Sequence, residues 1–341
     1  MKTLRLIGIS VVLITLTLFS LQCSKGSESA GGDAALLKML PENASGYVLF
    51  NFSKVAELGL FKTMQESMKK EDEEKANEAL KAFDQFISQT GFDPEKDLRS
   101  GVMALYGELD TDKPQVAFVA GGSFDPEKII AFAKAKNTEL KEESVDSVTL
   151  YHMEKEDGEE MALCFPTAGV VAMGQTDQLK RTLDVIKGKG RSIMDNGTLM
   201  QYKKKTAADA LLTAVFLIPE KARAMQEKMQ PPFEFDLSKA EAITAEIFFS
   251  NDTWSGTLVL VSDNPEGNKK NANTLNMLKN MGVMLGPEVG EVLNGLSFNP
   301  GEKQMEIKFS ITKTQLENLG KKAKESLPGM SSDTPEEPVM E

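Results

Sequence analysis

The sequence predicts an α+β fold of two tandem similar halves, each an antiparallel sheet of about four to five strands packed with helices. Three observations predict it. Apolar residues alternate with polar ones in short runs, as in half-buried strands. Tight charged or Gly-containing connections join those runs in pairs, as in hairpins. The chain also repeats itself: Phe92-Asp93-Pro94-Glu95-Lys96 and Phe235-Asp236-Leu237-Ser238-Lys239 lie 143 positions apart, and each precedes a pair of strand-like runs.

The first half opens on Ser45 to Phe52, where Val48, Phe50 and Phe52 alternate; Asp209 to Leu217 matches it in the second half, with Leu212, Ala214 and Phe216. Val102 to Tyr106 and Gln115 to Ala120 correspond to Ala245 to Phe249 and Leu258 to Ser262. A helix pattern at Ile129, Phe132 and Ala135 falls on Ala272, Leu275 and Leu278. The first half carries extra length where Lys69 to Lys75 interrupts a helical pattern that resumes at Leu80, Phe83, Phe86 and Ile87, so a charged helical insert is expected at about 65–85. The resulting division is 35–200 for the first half and 201–327 for the second. One continuous sheet shared by both halves is the alternative, which periodicity does not decide.

Both ends differ from this body. Lys2 and Arg5 precede an uncharged apolar run from Leu6 to Leu21, followed by small polar residues, which is the grammar of an export signal over 1–22. Residues 23–34 are rich in Ser, Gly and Ala and read as a flexible tether. Residues 328–341 hold Pro335, Pro338 and four acids without a base, the composition of a disordered tail. Within the first stretch, Leu18-Phe19-Ser20-Leu21-Gln22-Cys23 resembles the lipobox of bacterial lipoprotein precursors, although Gln22 stands where a small residue is usual. That resemblance implies cleavage before Cys23, fatty acylation of its thiol, attachment to a membrane of the cell envelope and, from Ser24 in the following position, the outer membrane. Cleavage near Ser27-Glu28-Ser29 without lipid, or an uncleaved anchor, are the alternatives; a run of 16 residues is short for a span, which needs about 20.

Charge and chemistry narrow the function. The net charge of −12 disfavours nucleic acid and anionic lipid as partners recognised through bulk charge. Cys23 and Cys164 are the two cysteines, so no disulfide framework is expected, and Cys164 within Met161-Ala162-Leu163-Cys164-Phe165 reads as a buried apolar residue. With His152 as the sole histidine, multi-histidine metal sites are excluded. No nucleophile elbow, phosphate-binding glycine loop or His-Glu-x-x-His is present, and Ser67-Met68-Lys69-Lys70 lacks its companion boxes. The acidic clusters at 71–74 and 154–160 lack the ligand spacing of a calcium loop.

Phe-Asp-Pro-Glu-Lys at 92–96 and 124–128 reads as a helix start, with Asp93 and Asp125 as N-caps and Pro94 and Pro126 in the first turn. Met277, Met281 and Met284 recur at helical spacing and are expected in a core, with Cu(I) ligation as the alternative. Gly282, Gly286 and Gly290 are expected to end that helix ahead of or around Pro287. Trp254, in a predicted hairpin turn, is the candidate contact residue, against packing on its own sheet. The leading expectation is a non-catalytic, lipid-anchored envelope protein acting as a binding or scaffold module, with no cofactor and an envelope protein as partner. A carrier of an apolar ligand or lipid is suggested by 18 Phe and 18 Met, and an enzyme working through carboxylates alone is the third reading.

Overall fold

Alternating apolar residues become strands here because every second side chain finds a core. A computed structural model describes residues 33–62, 73–107, 115–135, 140–154, 160–203, 209–225 and 235–326. In chain order, α1 (Asp33–Leu37), β1 (Ala44–Asn51), α2 (Phe52–Glu57), α3 (Glu73–Thr90) and α4 (Pro94–Asp97) lead into the hairpin β2 (Leu98–Tyr106) and β3 (Gln115–Gly122). Then come α5 (Pro126–Ala135), β4 (Lys141–Val145), β5 (Val148–Glu154), β6 (Glu160–Thr167), β7 (Val170–Gln175), α6 (Thr176–Ile186) and α7 (Gly197–Met200). The remainder is β8 (Leu212–Leu217), α8 (Glu220–Met225), β9 (Ala240–Ser250), β10 (Thr253–Ser262), α9 (Pro265–Val283), α10 (Pro287–Asn294), β11 (Leu296–Pro300), β12 (Gln304–Thr312) and α11 (Lys313–Ser326).

All twelve strands belong to one antiparallel sheet, ordered β11-β12-β10-β9-β8-β1-β2-β3-β7-β6-β5-β4. The fold is therefore α+β, with seven strands from the N-terminal part and five from the C-terminal part in a continuous sheet, not two separate sheets of four to five strands. They join where β1 pairs antiparallel with β8, Val48 opposite Ala214 and Phe50 opposite Leu212. Reading outward from this seam, the order is β1-β2-β3-β7-β6-β5-β4 on one side and β8-β9-β10-β12-β11 on the other, so the five strands nearest the seam correspond and β5-β4 extend the first side.

Side chains of one strand point to opposite faces in turn, while cross-strand partners share a face. On one face, Tyr47, Leu49, Val102, Ala104, Val119, Cys164 and Ala172 bury against Leu36 and Leu37 of α1 and Leu179 and Leu183 of α6. Each such Leu contributes about 1.5–3 kcal/mol of burial. The other face buries Phe52, Phe61, Leu98 and Ala120 against Phe50, Phe92, Phe118 and Phe124. Register carries that face through Phe216, Ile243, Leu260 and Met305. There α9 closes a third cluster of Leu260, Ala272 and Met305 with Leu275, Phe298 and Ile307. The opposite side of these C-terminal strands carries the cross-strand row Thr213, Glu246, Thr257 and Lys308. A sheet with one face against a core and the other polar is the usual antiparallel solution.

Local chemistry sets the turns and helix ends. Asp146-Ser147 and Asn251-Asp252 occupy positive φ, from 49° to 72°, closing two-residue hairpins β4–β5 and β9–β10. Asp93 caps α4 by accepting the Glu95 N–H at 3.0 Å, with Pro94 next. Asp125 likewise accepts the Lys128 N–H at 3.2 Å. The third copy behaves differently: Asp236 accepts Ser238 N–H and Oγ, and no helix follows. Leu237 in place of the proline leaves φ unset for a helical turn. The three glycines of the α9–α10 region also divide their roles. Gly286, at φ 144°, takes the break before Pro287, whereas Gly282 and Gly290 lie inside the helices and face Leu293 and Val283, letting α9 and α10 approach.

Candidate functional site

Cys23 lies outside the described residues, as do residues 23–32 of the expected tether, 327–341 at the other end and 65–72 of the charged insert. The rest of that insert belongs to α3. Trp254 is not in the hairpin turn, which is Asn251-Asp252, but is the second residue of strand β10, half-buried and paired with Phe249, the two rings 4.8 Å apart at 53°. It thus packs on its own sheet while keeping an accessible edge. Cys164 is fully buried, and burial pushes its thiol up to about 12, so it behaves as an apolar side chain.

The methionine row departs from the expected core. Met277, Met281 and Met284 are 40%, 51% and 86% exposed, and Leu285 is 75% exposed. Leu275 of the same helix packs against the core instead and Leu278 is half-buried, since α9 has one contact face and the methionines lie away from it. Among the described residues no three His, Cys, Asp or Glu side chains are placed to share a metal ion, and no helix is long and apolar enough to cross a membrane.

Two arrangements escaped sequence reasoning. His152 is buried on β5, with Nε2 3.0 Å from Glu143 of β4, Nδ1 2.8 Å from Glu160 of β6 and the Thr176 hydroxyl 3.4 Å from Nδ1. Lys180 of α6 reaches the second oxygen of Glu143 at 2.8 Å, and this bond holds the Glu143 carboxyl below its usual range. The second is a cleft of about 580 Å³ where the start of β2, the end of β3 and the β6–β7 turn meet. Its rings are Phe92 and Phe124, stacked at 5.3 Å and 26°. Phe86 meets Phe92 edge-on at 5.9 Å, and Phe165 lies 6.3 Å from Phe124. These aromatics come from four segments that only the sheet brings together; the doubled Phe-Asp motif was the available signal.

Charge around the cleft is mixed. Arg99 and Lys128 line it with Asp97 and Asp125. Both acids serve the backbone: Asp97 accepts the Asp93 N–H at 2.7 Å, and Asp125 takes Lys128 through its amide and, at 3.1 Å, its ammonium. Glu95 on α4 is pushed up to about 7, chiefly by burial and further by Asp93, but it does not line the cleft.

No protein-family model and no curated protein sequence matches the chain. Among solved structures, crystal form III of TP0453 aligns with a TM-score of 0.48 and 11% identity, covering 87% of this chain and all of that one. Crystal form I of TP0453 aligns at 0.46 and 10% identity, covering 86% of this chain and 99% of that one. At that level of likeness no role passes from one chain to the other.

Proposed function

We propose that the protein is a non-catalytic binding or scaffold module, tethered to a membrane of the bacterial envelope, the outer membrane by preference, through an acylated Cys23. Its body is read as a duplicated unit, residues 35–200 and 201–327, an idea supported by the corresponding order of the five strands nearest the β1–β8 seam on either side. The observation that carries the binding reading is the broad sheet whose C-terminal part sets the polar side chains Glu246, Thr257 and Lys308 on the side opposite the α9 cluster. Such a surface is shaped for display, and a tether of Ser, Gly and Ala would lift it off the lipid. Fractionation of cells expressing Cys23→Ala tests the anchor: loss of both acyl labelling and membrane association is expected, and unchanged association without label in the parent overturns it. Crosslinking and capture of the anchored chain tests the module, where nothing above an anchor-only control counts against it.

A second reading, a carrier of an apolar ligand, is favoured by one specific observation, the cleft at Phe92 and Phe124. At about 580 Å³ it falls within the ligand-sized range.

A further inference from the structure

We infer that the outward stripe of α9 is a contact between two copies of this chain, which meet across a two-fold axis with Met281 at its centre. The inference stands apart from the anchor, the polar sheet face and the cleft.

The stripe follows from how the helix packs. α9 turns Ala272 and Leu275 toward the sheet, so the residues half a turn away face water. Those are Met277, Met281 and Met284 with Leu285 beside them, and together they leave the equivalent of two and a half whole apolar side chains exposed. The outward side of a surface helix is ordinarily polar. Gly286, at φ 144°, then breaks the chain direction before Pro287 and leaves Met284 and Leu285 at the corner.

Area and shape fit a second copy. At about 150–200 Å² for a side chain of this size, the stripe exposes about 400–500 Å². Two copies laid stripe to stripe would bury about 800–1,000 Å² before the rim is counted, which is the low end of a specific interface and the size of a reversible one. Met277, Met281 and Leu285 lie four residues apart, the ridge that one helix sets into the matching groove of another at about 50° between axes. Unbranched thioethers fill the irregular gaps of such a contact.

Charge favours the copy over a lipid surface. From Asn273 to Leu285 the one charged residue is Lys279, whose ammonium turns under the helix and donates to the Leu296 carbonyl at 2.7 Å. Helices that lie on an anionic bilayer flank their apolar stripe with Lys or Arg, and over these turns α9 does not. A net charge of −12 would also set two copies against each other, yet residues 235–326 hold ten Lys against twelve acids, so most of the excess lies in the rest of the chain. α9 packs over β11 and β12, at the end of the sheet away from the N-terminal strands, and charge more than about 8 Å off is largely screened in physiological salt.

The test is sedimentation equilibrium of the full chain carrying Cys23→Ala, so that no acyl chain drives association. A monomer–dimer equilibrium with a Kd on the order of 10 μM is expected. Met281→Lys and Met281→Glu should each weaken it at least about tenfold. Neither should lower the melting temperature, because the side chain already stands in water. An equimolar mixture of the two variants should recover the dimer, since a two-fold axis brings the opposite charges face to face. A parent that stays monomeric, a dimer indifferent to both variants, or variants that do not recover on mixing overturns the contact. Vesicles of phosphatidylethanolamine and phosphatidylglycerol cover the other occupant: the Cys23→Ala chain and its Met281→Glu form should co-sediment with them equally, and binding that Met281→Glu abolishes would make the stripe a lipid contact instead.

Discussion

Glu160 reaches from β6 to set a carboxylate oxygen 2.8 Å from Nδ1 of His152, the protein's sole histidine. Glu143 meets the other ring nitrogen at 3.0 Å. Carboxylates from β4 and β6 therefore flank both ring nitrogens. The ring then ties three neighbouring strands together at the edge of the sheet.

Removing that tie should be costly. His152→Gln cannot meet both flanking carboxylates as the ring does, and a buried polar group left short of partners costs roughly 1–3 kcal/mol. Denaturant unfolding should show that loss, with Glu143→Gln, on a more exposed side chain, costing less. A His152→Gln variant as stable as the parent would show that the two carboxylates do not hold the ring.

The two core tyrosines point the opposite way. Tyr47 and Tyr106 are 0% and 2% exposed, and neither hydroxyl has a hydrogen-bond partner among the described residues. Burial raises both phenols well above their ordinary pKa. Tyr47→Phe and Tyr106→Phe delete an unsatisfied group while keeping the ring, so each should be neutral or stabilising by up to about 1 kcal/mol in denaturant unfolding. A loss of that size instead would reveal a bound water completing the site.

Much of this architecture was legible from alternation and caps. Val48 and Phe50 announced β1, and Asp93-Pro94 and Asp125-Pro126 announced two helix starts, because these signals act within a few residues. The single sheet was not, since the β1–β8 pairing joins strands more than 160 positions apart by ladder bonds that any two strands can make. The His152 contacts depend on the β4–β5 register, which places Lys141 opposite His152. Exposure of Met281 was equally hidden: thioethers suit a core or a surface, and only the packing of α9 decides.

Glu95 makes stability depend on pH. Its carboxyl rises from the ordinary 4.5 to about 7 in the folded chain, chiefly because burial disfavours the charged form. The folded state thus keeps a proton that the unfolded state has released, so the Glu95 contribution is most favourable below 4.5 and declines as pH rises to about 7. Gln imitates the protonated side chain. Glu95→Gln should match the parent at pH 4 and exceed it at pH 8 by roughly 1 kcal/mol after solvent screening. Parallel stability curves across that range would mean that the carboxyl is not desolvated.

The seam between β1 and β8 offers the sharpest structural test. Gly46 sits opposite Phe216, and a β-carbon there would collide with the Phe216 ring and lie 2.8 Å from the Val215 carbonyl oxygen. That oxygen belongs to the sheet backbone and cannot swing away, so Gly46→Ala should cost about 1–3 kcal/mol as the strands are forced apart. Because the sheet is continuous across this point, the parent should unfold in one calorimetric transition, its enthalpy agreeing with the van't Hoff value. Gly46→Ala should lower that transition by several degrees or split it, as the two strand sets lose their shared edge. Two transitions already present in the parent would show that the strand sets unfold independently despite the ladder that joins them.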